Sequence, residues 1–279
     1  MPELPEVQTT VDELRPQLLG RTFIDLRADW PPTLATAPPS QFRARLVGQR
    51  ILKTRRRGKY LVFPLSGGDT LLIHLMMSGQ LSVVPSSNPC DRHTHTRFLM
   101  DDGRELRFRD VRKLGRAYLV ADPEEVVGHL GPEPLAEEFT LPQFRRLIAR
   151  RRGRLKPLLL NQQFLAGLGN IYADETLFAA RLHPLRTADT LTEQEIERLY
   201  HSIRAVLTRA LAHQGTTLDD SAYRRPDGQA GNYQERLQVY GREGEPCFLC
   251  GTSIQRIAVS ERGTYFCPQC QRRFLTSTS

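Results

Sequence analysis

A chain of 279 residues is long enough for two domains and can bury a core without help from disulfides. Its 5 cysteines are few and odd in number, and neither a membrane-spanning apolar run nor a signal peptide is evident, which argues against a disulfide-stapled secreted scaffold and a helical membrane protein. We expect a cytoplasmic protein with no membrane association, whose cysteines are metal ligands or free thiols. The formal charge of +8 favours a polyanionic partner, because clustered Lys and Arg gain by displacing counterions from phosphates; an anionic membrane surface or simple solubility are the alternatives.

The chain opens MPELPEV. Pro5 suits a first helical turn, and Val7, Val11, Leu14 and Leu18 recur at helical spacing. That leaves Pro2 unexplained. Methionine ahead of proline is usually removed, which would expose a nucleophilic secondary amine beside the Glu3 and Glu6 carboxylates. A capped helix at a trimmed terminus is the competing reading. As far as about Val120, short apolar runs such as YLVFPL, TLLIHL and RAYLV alternate with turn residues, which predicts a β-rich sandwich or barrel. Positive charge clusters at Lys53 to Tyr60, Arg104 to Arg116 and Arg145 to Lys156. Each could be a solvated face, but three in one chain, two of them interleaved with apolar residues, favour nucleic acid.

The stretch Pro132 to Phe139 reads as a linker, and beyond it the period becomes helical. Thr140 with Gln143, and Thr192 with Glu195, fit the capping-box pattern. One helix should carry Phe144, Leu147 and Ile148, and a longer one Ile196, Leu199, Ile203, Leu207 and Leu211. Between them, AGLGNIYADE predicts a glycine-broken turn opening a helix, with Asn170 at the cap and Lys156 at the start of the preceding helix. Helix-start amides, a side-chain amide and an ammonium can converge on one phosphate. Alone, GLGN is a weak motif; beside the Arg145 to Lys156 cluster it reads as a DNA grip. From Gly215 to Tyr233 there is no period, which predicts a long functional loop.

Near the C-terminus, Cys247 and Cys250, then Cys267 and Cys270, form two C-x-x-C pairs spaced as in a zinc ribbon. Four sulfur ligands leave no open position, so one structural Zn2+ is expected; a thioredoxin-like site would need one pair in a βαβ context. Cys90, near His93 and His95, is left over as a bystander.

Together PELPEV, RRGKYL, HLMMSGQL, DVRKLG, GLGNIYADETLF, VYGREGEPC and the terminal finger closely resemble the formamidopyrimidine-DNA glycosylases, in family order from Pro2 to Cys270. The resemblance implies a multi-domain α+β chain: a catalytic β-sandwich flanked by helices over 1–132, a helical helix-two-turn-helix domain over 133–236 and a four-cysteine zinc finger over 237–274. It implies base excision followed by strand cleavage on double-stranded DNA carrying oxidised purines or abasic sites, by a bacterial monomer. Pro2 corresponds to the nucleophile, Glu3 to the proton donor for sugar-ring opening and Lys59 to the group serving β-elimination; Glu6 would hold the terminus. His74, His93, Arg151, Lys156, Asn170, Tyr240 and Arg262 fall where the family grips phosphates, with Arg262 also linked to δ-elimination. Met77, Arg112 and Leu114 occupy the positions that fill the void left by an extruded base, with Arg112 facing the orphaned cytosine. Leu114 departs from the phenylalanine common there, and Asn161 stands where relatives often carry Asp. The Gly215 to Tyr233 loop, made acidic by Asp219 and Asp220, lies where the family reads the lesion. The sister enzyme endonuclease VIII, which removes oxidised pyrimidines, and a non-catalytic damage-binding protein are the competing readings.

Overall fold

A computed structural model describes residues 1–218 and 223–273, and its backbone forms two compact units. The first comprises Met1–His129 with His213–Gln234, the second Leu130–Ala212 with Glu235–Ser279.

In the first unit, helix α1 (Leu4–Leu18) precedes β1 (Phe23–Ala28) and α2 (Pro39–Leu46). Strands β2 (Arg55–Arg57), β3 (Tyr60–Pro64), β4 (Thr70–His74), β5 (Gly79–Pro85), β6 (Thr94–Met100), β7 (Arg104–Asp110) and β8 (Arg116–Val120) follow, then a short α3 (Glu124–Val127). They form two four-stranded sheets, ordered β1-β6-β7-β5 and β2-β3-β4-β8, with every described pairing antiparallel. Phe23, Phe98, Leu106 and Phe108 from one sheet share a core with Leu61, Phe63, Ile73 and Leu119 from the other, which makes the expected sandwich. Helix α1 adds Val7, Val11, Leu14 and Leu18, all 0% exposed, to the same core. At about 1.5–3 kcal/mol for each fully buried aliphatic chain, this stripe dominates the docking of α1.

The second unit holds α4 (Leu141–Ile148), α5 (Leu155–Leu160), α6 (Asn170–Ala179), α7 (Glu193–Ala212) and the hairpin β9 (Gln255–Val259) and β10 (Arg262–Phe266). Of the two expected capping boxes, the one at Thr192 closes and the one at Thr140 forms only its N-cap half, the Thr140 amide donating to the Glu138 carbonyl instead. Thr140 Oγ1 accepts from the Gln143 amide, while Thr192 and Glu195 satisfy each other's backbone N–H reciprocally. Helix α6 begins one residue earlier than the cap assignment implied: Gly169 is the N-cap and Asn170 the first helical residue, its side chain turned elsewhere.

The backbone clusters into two units where three domains were expected, the finger grouping with the helical segment. His213–Gln234, expected inside 133–236, clusters with the sandwich. Two ties explain it: the Thr216 amide donates to Glu6 Oε1 at 2.7 Å, and Arg225 pairs with Glu13 at 2.6 Å. Asp219 and Asp220 lie outside the described residues. Among the described residues no helix is long and apolar enough to cross a membrane.

Candidate active site and nucleic-acid interface

Pro2, Glu3 and Glu6 are all buried at the start of α1. Glu6 uses both carboxylate oxygens: Oε2 accepts from the Glu3 amide at 2.8 Å, and Oε1 from Thr216. Gly215 makes that approach possible. Its φ of +78 lies in the left-handed region that favours glycine, and a Cβ there would stand 2.6 Å from Glu6 Oε1. Lys59 is 5% exposed in the turn between β2 and β3, and Arg56 of that hairpin donates to Gln8 of α1 at 3.1 Å. The terminus and the lysine turn are therefore held on one scaffold.

His74 ends β4, with Tyr60 edge-on to its ring at 4.6 Å. Its Nδ1 accepts from the Met76 amide at 3.0 Å, so the neutral ring carries its proton on Nε2. Burial, reinforced by the Lys59 charge, lowers its pKa to about 4. His74 is thus a neutral N–H donor at physiological pH. His93 is half-buried just ahead of β6, its Nε2 accepting from Arg92 Nε at 3.1 Å.

Met77 sits half-buried in the β4–β5 connection; Arg112, exposed, and Leu114, half-buried, sit in the β7–β8 connection. Because β4 pairs with β8 while β5 pairs with β7, both connections pass side by side from one sheet to the other. The fold brings these connections together although Met77 and Arg112 lie 35 positions apart: the Arg112 amide donates to Ser78 Oγ at 3.1 Å.

In the second unit, Asn170 Nδ2 donates to the Gly263 carbonyl of the finger hairpin at 3.0 Å and approaches the Tyr240 hydroxyl at 3.5 Å. Arg151 is exposed, with its guanidinium 5.7 Å from the Phe164 ring centre. Arg262 is exposed at the first position of β10. Lys156 is the correction: its side chain is 0% exposed, and its ammonium contacts Asp174 Oδ1 at 2.5 Å and the Asn170 carbonyl at 3.1 Å. The sequence suggested an accessible ammonium at the phosphate grip; packing under the start of α6 makes it an internal ion-pair partner instead.

Two acids that sequence reasoning passed over explain how the finger is mounted. Asp174 Oδ2 accepts from the Tyr265 amide at 3.0 Å, and Glu175 accepts from the amides of Gln238, Val239 and Tyr240. Every residue from Ile171 to Phe178 is buried. A helix without a solvent face cannot place acids in water, so adjacent Asp and Glu within NIYADETLFA were the available signal.

The four cysteine sulfurs lie within 4.8 Å of one another, with Cys250–Cys267 at 3.5 Å and Cys247–Cys270 at 3.9 Å. A tetrahedral ion with metal–sulfur bonds of about 2.3 Å sets its sulfurs about 3.8 Å apart, so the quartet fits a metal. Gln271 braces it, accepting from the Cys267 amide and donating to the Leu182 carbonyl, each at 2.9 Å. Cys90 lies elsewhere, beside Glu105 and Arg97.

A sandwich led by a carboxylate-braced terminus, together with a helical unit carrying a four-cysteine finger, defines a DNA-repair glycosylase architecture. Family models match in the same order: the formamidopyrimidine-DNA glycosylase N-terminal domain over residues 1–117, its H2TH domain over 130–222, and the zinc finger found in FPG and IleRS over 244–273. The formamidopyrimidine-DNA glycosylase of Herpetosiphon aurantiacus is 47% identical, covering 97% of this chain and 100% of its own. The crystal structure of the MutM (Fpg) protein from Thermus thermophilus superposes with a TM-score of 0.89 at 45% identity, over 98% of this chain and 100% of that one. Lactococcus lactis Fpg in complex with DNA containing an abasic site gives 0.89 at 36%, over 97% and 100%. The chain belongs to the formamidopyrimidine-DNA glycosylase family.

Proposed function

We propose that this chain is a bifunctional DNA glycosylase and abasic-site lyase that removes oxidised purines, 8-oxoguanine and formamidopyrimidines, from double-stranded DNA. The observation that carries the reading is Glu6, whose one buried carboxylate holds both the backbone next to Pro2 and the amide that opens the Gly215 to Tyr233 loop. Nucleophile and lesion-reading segment then share an anchor. Structures of the Lactococcus lactis relative with DNA containing Fapy-dG or an abasic site support the substrate class.

In this mechanism removal of Met1 frees the Pro2 nitrogen, which attacks the sugar C1′ as the bond to the base breaks and the base leaves with a proton. Glu3 protonates the ring oxygen as the sugar opens. A secondary amine can form only a cationic imine, which acidifies the adjacent C–H. Lys59 serves the β-elimination that expels the 3′ phosphate, and Arg262 assists the δ-elimination that expels the 5′ phosphate and releases the sugar. His74, His93, Arg151, Asn170 and Tyr240 hold phosphates, while Met77, Arg112 and Leu114 fill the gap left by the flipped nucleotide. Lys156 supports the Asn170 carbonyl from beneath. One Zn2+ on Cys247, Cys250, Cys267 and Cys270 would be structural, because the thiolates complete its coordination. We place the enzyme in the bacterial cytoplasm as a monomer. Single-turnover excision on duplexes containing 8-oxoguanine or thymine glycol tests the substrate assignment: faster release of 8-oxoguanine is expected, and preference for thymine glycol would overturn it.

A further inference from the structure

Asp110, the last residue of β7, is 5% exposed, yet its carboxylate makes no ion pair among the described residues. It binds loop atoms instead. Oδ1 accepts from the Ser78 hydroxyl at 2.5 Å and from the Arg112 amide at 3.2 Å, and Oδ2 accepts from the Gly115 amide at 2.6 Å. Ser78 Oγ in turn accepts from the Arg112 amide at 3.1 Å. The Asp110 amide donates to the His93 carbonyl at 2.9 Å. One buried residue thus ties the turn carrying Met77, both ends of the segment carrying Arg112 and Leu114, and the segment carrying His93.

The surroundings fix this arrangement. Gly79 and Gly115 press against the Phe108 ring: a Cβ at either would stand 2.7 Å or 2.3 Å from it. Lys113, at φ 57, lays its ammonium 4.7 Å from the centre of the Trp30 ring. With backbone, hydroxyl and carboxylate all engaged, the two connections cannot shift independently.

We propose that Asp110, acting through Ser78, is a positioning residue for base extrusion, holding Met77, Arg112 and Leu114 at a fixed spacing so that they enter the duplex as one unit. The inference rests on the void-filling role given to those side chains. An intercalating group must arrive already placed, since loop ordering at the moment of unstacking would add to the cost of flipping.

The test uses Ser78→Ala, which removes the hydroxyl link and should leave the sandwich folded, and Asp110→Asn, whose amide can accept from Ser78 but sets a donor against the Gly115 amide. Single-turnover excision from an 8-oxoguanine:cytosine duplex should fall at least tenfold, and the rise in fluorescence of 2-aminopurine placed beside the lesion should slow equally. Cleavage of a single-stranded abasic oligonucleotide, which has no stack to open, should stay within twofold. Ser78→Ala should add little in an Arg112→Ala background. Equal losses on both substrates, or a full Ser78→Ala effect without Arg112, would overturn the positioning role. If Arg112→Ala and Met77→Ala both left duplex excision unchanged, the void-filling assignment itself would fail. If those two lowered it while Ser78→Ala and Asp110→Asn did not, only the role of Asp110 would be lost.

Discussion

The Lys156 ammonium lies 2.5 Å from Asp174 Oδ1, and neither side chain has any accessible surface. Burial raises the Asp174 carboxyl to about 7 against the opposing pull of Lys156 and the Tyr265 amide. Lys156→Ala would strand the carboxylate and is expected to cost about 3–5 kcal/mol in denaturant unfolding. The sign with pH follows from linkage. A carboxyl whose folded pKa is raised contributes stability below its unfolded pKa that is lost as pH rises through the folded value. Removing Lys156 raises it further, so the deficit should widen above pH 7. A deficit that narrows there would contradict the pairing.

His74 provides a second pH-dependent check. Its folded pKa of about 4 lies below the ordinary 6.5. The neutral ring therefore contributes stability above pH 6.5, and that contribution is lost as pH falls towards 4. A difference of this size corresponds to about 3 kcal/mol at most. Ring-proton NMR should show His74 neutral down to about pH 5, and His74→Gln should flatten the acid limb of the stability curve.

At the finger, Cys250→Ser or chelation should release the metal and loosen the hairpin that presents Arg262, weakening DNA binding in a fluorescence titration. Arg262→Ala should keep the metal while lowering binding and strand cleavage. The tip of that hairpin is strained: Ser260 and Glu261 both adopt positive φ, 48 and 60, in its two-residue turn. Glu261→Gly should relieve this, raising stability by about 1 kcal/mol with the metal retained.

Much of this arrangement was legible in the sequence. The α1 stripe, the sandwich runs, the Thr192–Glu195 capping box and the cysteine quartet each rest on local periodicity or spacing, which folding preserves. Buried charge was not legible. Asp110, Asp174 and Glu175 look like surface acids until the chain brings distant amides to them, as with Tyr265 on Asp174. The basic run from Arg104 to Arg116 also shrinks as a DNA-facing surface, because Arg104 pairs with Asp102, Arg107 with Glu105 and Arg109 with Asp91. Arg112 remains exposed.

The central claim is that Pro2 attacks DNA through its own nitrogen. The direct measurement is borohydride trapping on an 8-oxoguanine duplex, with the linkage site mapped by mass spectrometry of the peptide. The account predicts a stable adduct at an N-terminal Pro2, lost when the terminus is blocked and diminished in Pro2→Gly. An undiminished yield with a blocked terminus, or an adduct mapped to Lys59, would contradict it.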